Sequence, residues 1–225
     1  EVVPECADLE GTATVDSITY SSARISIEDS TAISGWSVAY GPVDDDFETY
    51  TVIDTFGTSI VIDSLSSALA YNIYLRRVCG DKFGIWTEPF SFTTAYRPAE
   101  MPYICGFEDD EENRLWEHSY STETCNRFNI GSVSTAVLEG SKAMYVSNTS
   151  GSTYNYNTGY GGNNYAFRKM SFDAKGYQVV FHWKCTGGQL NYDFGRVMLV
   201  PESSPITYTT SGLGPNTVYP DGAIF

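Results

Sequence analysis

No stretch of this 225-residue chain keeps apolar residues at helical spacing for long, and that constrains its fold more than any motif does. What recurs instead is a short alternating run cut by a turn. Before Ala95 such runs fall at 12–18, 23–27, 35–40, 47–53, 59–62, 71–78 and 90–93. Ala23, Ile25 and Ile27 share one face of the second run, and Trp36, Val38 and Tyr40 share one face of the third. The breaks are turn formers: Gly41-Pro42, Asp44-Asp45-Asp46 and Gly80-Asp81. Seven short strands in so little chain predict an antiparallel β-sandwich. The abundance of Tyr (17) and Phe (12) fits the same all-β reading, since aromatic side chains suit a half-buried pleated surface.

After Ala95 the habits change. Tyr96-Arg-Pro-Ala-Glu-Met-Pro-Tyr103 carries two prolines and cannot continue a sheet. We therefore divide the sequence into a first domain at 1–96, a short linker at 97–103 that sets the units end to end, and a second domain at 104–225. Strand-like runs in the second domain lie at 143–147, 165–172, 177–184 and 194–200. In the third of these Val179, Phe181 and Trp183 form one inward face. Residues 150–164, rich in Gly, Asn, Ser and Tyr, read as an exposed loop.

The formal charge is −15, with 15 acidic against 5 basic residues up to Arg97 and 13 against 8 beyond it. Both halves would repel a phosphate backbone, which excludes nucleic acid as a partner. No run of apolar residues is long enough for a transmembrane helix. The chain opens Glu-Val-Val-Pro, so a signal peptide is absent or already removed. The five cysteines, Cys6, Cys79, Cys105, Cys125 and Cys185, include no C-x-x-C pair, which argues against structural zinc. No nucleophile elbow accompanies His118 or His182, and no catalytic residue is assigned.

The first domain resembles a fibronectin type III domain. The resemblance rests on Trp36 with Tyr40, on Leu65 followed by Tyr71 at the spacing of a tyrosine corner, and on the closing Trp86-Thr-Glu-Pro-Phe-Ser-Phe-Thr-Thr94. Ile27 stands where that family usually has a tryptophan. Bacterial surface versions of the family resemble this chain in placing one cysteine before the first strand and one after the Tyr71 strand. The resemblance thus implies a Cys6–Cys79 disulfide; in a reducing space both would remain thiols.

The second domain resembles the MAM-like or choice-of-anchor J jelly-roll modules that adjoin fibronectin type III repeats in exported proteins of Bacteroidetes-type bacteria. Four motifs carry the likeness: Gly106-Phe107-Glu108-Asp109 with Trp116; Met144-Tyr145-Val146-Ser147-Asn148; Tyr177 with Phe181-His182-Trp183-Lys184-Cys185; and Tyr192-Asp193-Phe194-Gly195-Arg196-Val197 with Leu199-Val200-Pro201. Asn126 to Gly131 departs from the family, which more often has Trp-Tyr there. A jelly roll needs about eight strands and about six are visible, so the closing strands are expected to be missing, the chain being a fragment or completed by another chain. The resemblance implies that Glu108, beside Asp109, could ligate Ca²⁺; no other cofactor is expected.

Two functions fit these readings. The first is a non-catalytic adhesion or interaction module of a large exported bacterial surface protein, binding a protein or glycan on a surface. The second is a carbohydrate-binding accessory of a secreted hydrolase. For the latter, Tyr154, Tyr156, Tyr160 and Tyr165, interleaved with Asn and Gly, offer apolar faces and polar edges for sugar rings. Of the remaining cysteines, Cys105 and Cys125 are a conceivable pair.

Overall fold

A computed structural model of the chain describes residues 6–29, 35–120, 126–159, 162–186, 188, 193–207, 220 and 222–224. It is nearly all β, with twelve strands and one four-residue helix among the described residues. The chain divides into two compact units, Glu1–Arg97 and Pro98–Phe225.

In the first unit β1 (Thr12–Asp16), β2 (Ala23–Glu28) and β5 (Ser59–Ile62) form one antiparallel sheet in the order β1-β2-β5. The other sheet is built from β3 (Gly35–Pro42), β4 (Thr51–Thr55) and β6 (Ala70–Cys79), in the order β4-β3-β6. Two further strands, β7 (Lys82–Phe83) and β8 (Phe90–Thr93), both pair with β6, β7 at its last residues and β8 along its first half. These are the two antiparallel sheets of the β-sandwich that the alternating runs predict. Residues 47–49 depart from expectation: they form a 3₁₀ turn ahead of β4.

Alternation explains the core. Ala23, Ile25 and Ile27 of β2, Ile60 and Ile62 of β5, Trp36 and Val38 of β3, Tyr71, Ile73 and Leu75 of β6, and Phe92 of β8 bury their side chains together. Burying each large aliphatic or aromatic side chain contributes ~1.5–3 kcal/mol. The tyrosine corner is present: the Tyr71 hydroxyl accepts the Ser66 N–H at 2.9 Å, with Leu65 and Tyr71 both buried. Cys6 is bonded to Cys79, the last residue of β6, with Cα atoms 5.6 Å apart.

Two features break simple alternation. The inward row of β6 ends in Arg77, whose guanidinium pairs with both carboxylate oxygens of Asp29, at 2.6 and 2.7 Å from Nη2, with both side chains almost wholly buried. And β3 is covered on both faces, since Ser37 and Ala39 are as buried as Trp36 and Val38. Its outward residues are small: the Ser37 hydroxyl donates to Asp54, and Gly41 packs against the Tyr50 ring. A Cβ at Gly41 would collide with the Tyr50 ring. Phe47 meets Tyr50, Tyr74 and Trp86 with centroids 5.7, 4.9 and 5.7 Å away. The Arg76 guanidinium lies between Phe83 and Trp86, at 4.0 and 4.3 Å from their centroids.

The second unit begins with Ala99, which bridges in parallel to Met170. A short helix, α1 (Asp110–Asn113), precedes β9 (Trp116–Ser119), β10 (Arg127–Gly131), β11 (Ala143–Ser147) and β12 (Tyr165–Arg168). These make two antiparallel ladders, β10 with β11 and β9 with β12. A partly buried ion pair secures α1: Arg168 Nε is 2.7 Å from Glu112 Oε1, which also accepts the Tyr103 hydroxyl at 2.7 Å.

The expected strands at 177–184 and 194–200 are corrected by the structure. Neither forms a ladder among the described residues, apart from a bridge between Leu199 and Ile224. Val179, Phe181 and Trp183, expected to face inward, are exposed. The side chains favour a strand, but a strand also needs a neighbour for its N–H and C=O groups. The contacts that residues 182–184 do make are isolated ones, such as Lys184 Nζ to the Val137 carbonyl at 3.0 Å.

Candidate functional site

Glu108 and Asp109 sit at the entrance to α1, and the fold gives both carboxylates work. Glu108 accepts the Ser141 N–H at 2.7 Å, the Lys142 N–H at 3.0 Å and the Ser141 hydroxyl. These donors hold its carboxyl below the usual range, the Ser141 hydroxyl contributing most. The close approach needs Gly140, whose φ is +75° and where a Cβ would collide with Glu108 Oε1. Asp109 caps α1, accepting the Glu111 N–H at 2.9 Å and the Glu112 N–H at 3.4 Å. Asp110 pairs with Lys142. Calcium takes six to eight oxygen ligands. Here the Glu108 oxygens already face N–H and O–H donors, and among the described residues no group of three or more His, Cys, Asp or Glu is placed to hold a metal ion. The donor set as arranged does not fit a calcium site.

The tyrosines are dispersed over the second unit. Tyr154 and Tyr156 share the loop after β11, whereas Tyr165 opens β12 opposite Ser119; Tyr160 lies outside the described residues. Tyr154 is half-buried, with Tyr145 edge-on at 6.5 Å and its hydroxyl 3.4 Å from the Lys184 carbonyl. The Tyr156 hydroxyl donates to Asp193 at 3.3 Å, and burial followed by that carboxylate pushes the phenol up. Both rings are thus tied to neighbouring chain as well as open to solvent.

His118 lies on β9 with Nε2 buried and, among the described residues, without a hydrogen-bond partner. Burial pushes the imidazole down. Cys105 is half-buried and Cys185 exposed; Cys125, its suggested partner for Cys105, lies outside the described residues.

Sequence reasoning missed the aromatic cover with the stacked Arg76, and a cleft beside Asp63. The signals were present in retrospect: small Ser37, Ala39 and Gly41 alternate with the core residues of β3, which leaves room for large neighbours on the outer face.

No family model matches the chain, and no curated protein matches it. It is similar to solved β-sandwich structures. The fibronectin type III domain of human contactin 1 is 12% identical, with a TM-score of 0.38, over 47% of this chain and 95% of that one. A computationally redesigned β-sandwich protein is 22% identical, with a TM-score of 0.34, over 40% of this chain and 94% of that one. The FN1–FN3 domains of chicken CNTN1 are 14% identical, with a TM-score of 0.36, over 41% of this chain, which spans 31% of their length. At these values the likeness says nothing of a ligand.

Proposed function

We propose that the chain is a non-catalytic adhesion or interaction module of a large exported cell-surface protein, of the bacterial kind that joins a fibronectin type III domain to a MAM-like one. The observation that carries this reading is the Cys6–Cys79 disulfide closing the β-sandwich. A disulfide of this kind persists in oxidising, extracytoplasmic space. Among the described residues no helix is long and apolar enough to cross a membrane. The sandwich offers two things to a partner: an outer aromatic face and the open edges of β4 and β5.

The carbohydrate-binding reading has one observation in its favour, the half-open rings of Tyr154 and Tyr156. Protein and glycan arrays probed side by side with the full chain test the two. The interaction reading expects saturable binding to protein features that survives Tyr154→Ala and Tyr156→Ala. Saturable glycan binding lost in those variants would replace it with the accessory reading.

A further inference from the structure

The sandwich of the first unit is open along one side, where β4 ends one sheet and β5 ends the other. At one end of that side lies a cleft of about 300 Å³ lined by Tyr40, Pro42, Thr49, Thr51, Asp63 and Tyr71. That is the small end of the range for ligand pockets (~300–1,000 Å³), and it suits a single side chain better than a large molecule. Tyr71 is buried and Tyr40 and Pro42 half-buried, giving an apolar wall; Thr49, Thr51 and Asp63 are exposed and polar. Burial, and secondarily the Asp63 carboxylate, pushes the Tyr40 phenol up, so its ring stays neutral.

The stretch of chain that supplies the cleft lining carries charge of one sign. From residue 25 to residue 75 the sequence contains no Lys, Arg or His and eight carboxylates. Asp29 is committed to Arg77, and Asp54 accepts the Ser37 hydroxyl. Asp63 accepts the neighbouring Ser64 hydroxyl at 3.1 Å. Asp44, Asp45, Asp46 and Glu48, all exposed, lie on the connection between the lining residues Pro42 and Thr49. Such a field repels anions and draws cations to the cleft mouth.

We propose that this cleft receives a cationic side chain, lysine or arginine, from a partner protein. The charged end meets Asp63, and the alkyl stem lies along Tyr40 and Pro42, an arrangement that combines a charge-assisted hydrogen bond with burial of the stem. The proposal rests on the interaction-module reading and names the chemistry of the partner.

The test is an NMR titration of the ¹⁵N-labelled full chain with Nα-acetyl-lysine amide, alongside the uncharged Nα-acetyl-norleucine amide. The lysine probe should give saturable amide shifts at Thr51, Asp63 and Ser64, and the norleucine probe should not. Asp63→Asn should weaken the lysine response about tenfold, the expected loss of one charge-assisted contact. With the unaltered chain, raising salt from about 0.05 to about 0.5 M should weaken lysine binding severalfold by screening. Equal responses to both probes, no saturable shift, or a response indifferent to Asp63→Asn and to salt would overturn the proposal. A protein partner whose binding persists in Asp63→Asn removes this role from the cleft and leaves the interaction-module reading standing. Lysine binding with no partner found on the protein array strikes that reading and leaves the cleft.

Discussion

Arg77 occupies a position where the alternation of β6 calls for an apolar side chain, and Asp29 makes that tolerable. Breaking a buried pair leaves one charge uncompensated, so Arg77→Ala should cost about 3–5 kcal/mol in urea denaturation, while Arg77→Met with Asp29→Leu should recover most of it. Equal losses in the single and double variants would contradict this account. Two titratable residues of the second unit both make it less stable as pH falls, His118 near neutrality and Glu108 in acid. Burial holds His118 below its ordinary 6.5. As pH falls below that value the unfolded chain takes up a proton that the folded chain resists. Stability should therefore decline from about pH 6.5 toward the folded value and then level off, and His118→Gln should flatten that segment of the curve. Glu108 is held below its ordinary 4.5 by the Ser141 and Lys142 donors. Its contribution is intact above that value and is lost as pH falls through the folded value. Because those donors already satisfy the carboxylate, EDTA followed by Ca²⁺ should leave the Tm unchanged, whereas Glu108→Ala should lower it. A calcium-dependent rise in Tm would instead establish Glu108 as a calcium ligand.

At the scale of elements, the first unit was largely legible because each strand carries its instruction locally. Ala23-Arg-Ile-Ser-Ile27 shows its buried face in its own alternation, and the Leu65 to Tyr71 spacing announces the corner. Tyr71→Phe should leave the Ser66 N–H without its acceptor and cost about 1–3 kcal/mol, measurable by thermal melts. A loss under about 0.5 kcal/mol would mean that water replaces the hydroxyl. Less legible was what lies across from a strand. Gly41 packs against Tyr50, which joins Phe47, Tyr74 and Trp86 in one aromatic cluster that no local pattern announces. The Arg77–Asp29 pair likewise joins residues that no local pattern connects. In the second unit the same gap produced the error at 177–184: alternation at Val179, Phe181 and Trp183 gives a face but not a neighbour. Trp36→Ala in the first core should cost about 3–5 kcal/mol. Trp183→Gln, at an exposed site, should stay within about 0.5 kcal/mol. A large loss at Trp183 would show that it is packed in solution.

For the whole molecule, the architecture is two all-β units, the first closed by a long-range disulfide and the second held, among the described residues, by ladders of two strands each. The Glu108 and Tyr154 readings depended on contacts with Ser141 and Lys184, which lie far along the chain and could not be read from either motif alone. Removing the Cys6–Cys79 bond, which spans a sequence separation of 73, should cost roughly 4 kcal/mol, seen as a lower denaturation midpoint in the Cys6→Ser, Cys79→Ser double variant. An unchanged midpoint would show that the bond is not formed in the folded protein. Hydrogen exchange on the full chain, resolved by peptide, tests the account of both units at once. We predict the slowest exchange in β3 and β6, whose residues form the core, and exchange at loop rates across residues 177–184. Protection at 177–184 equal to that of β6 would contradict it.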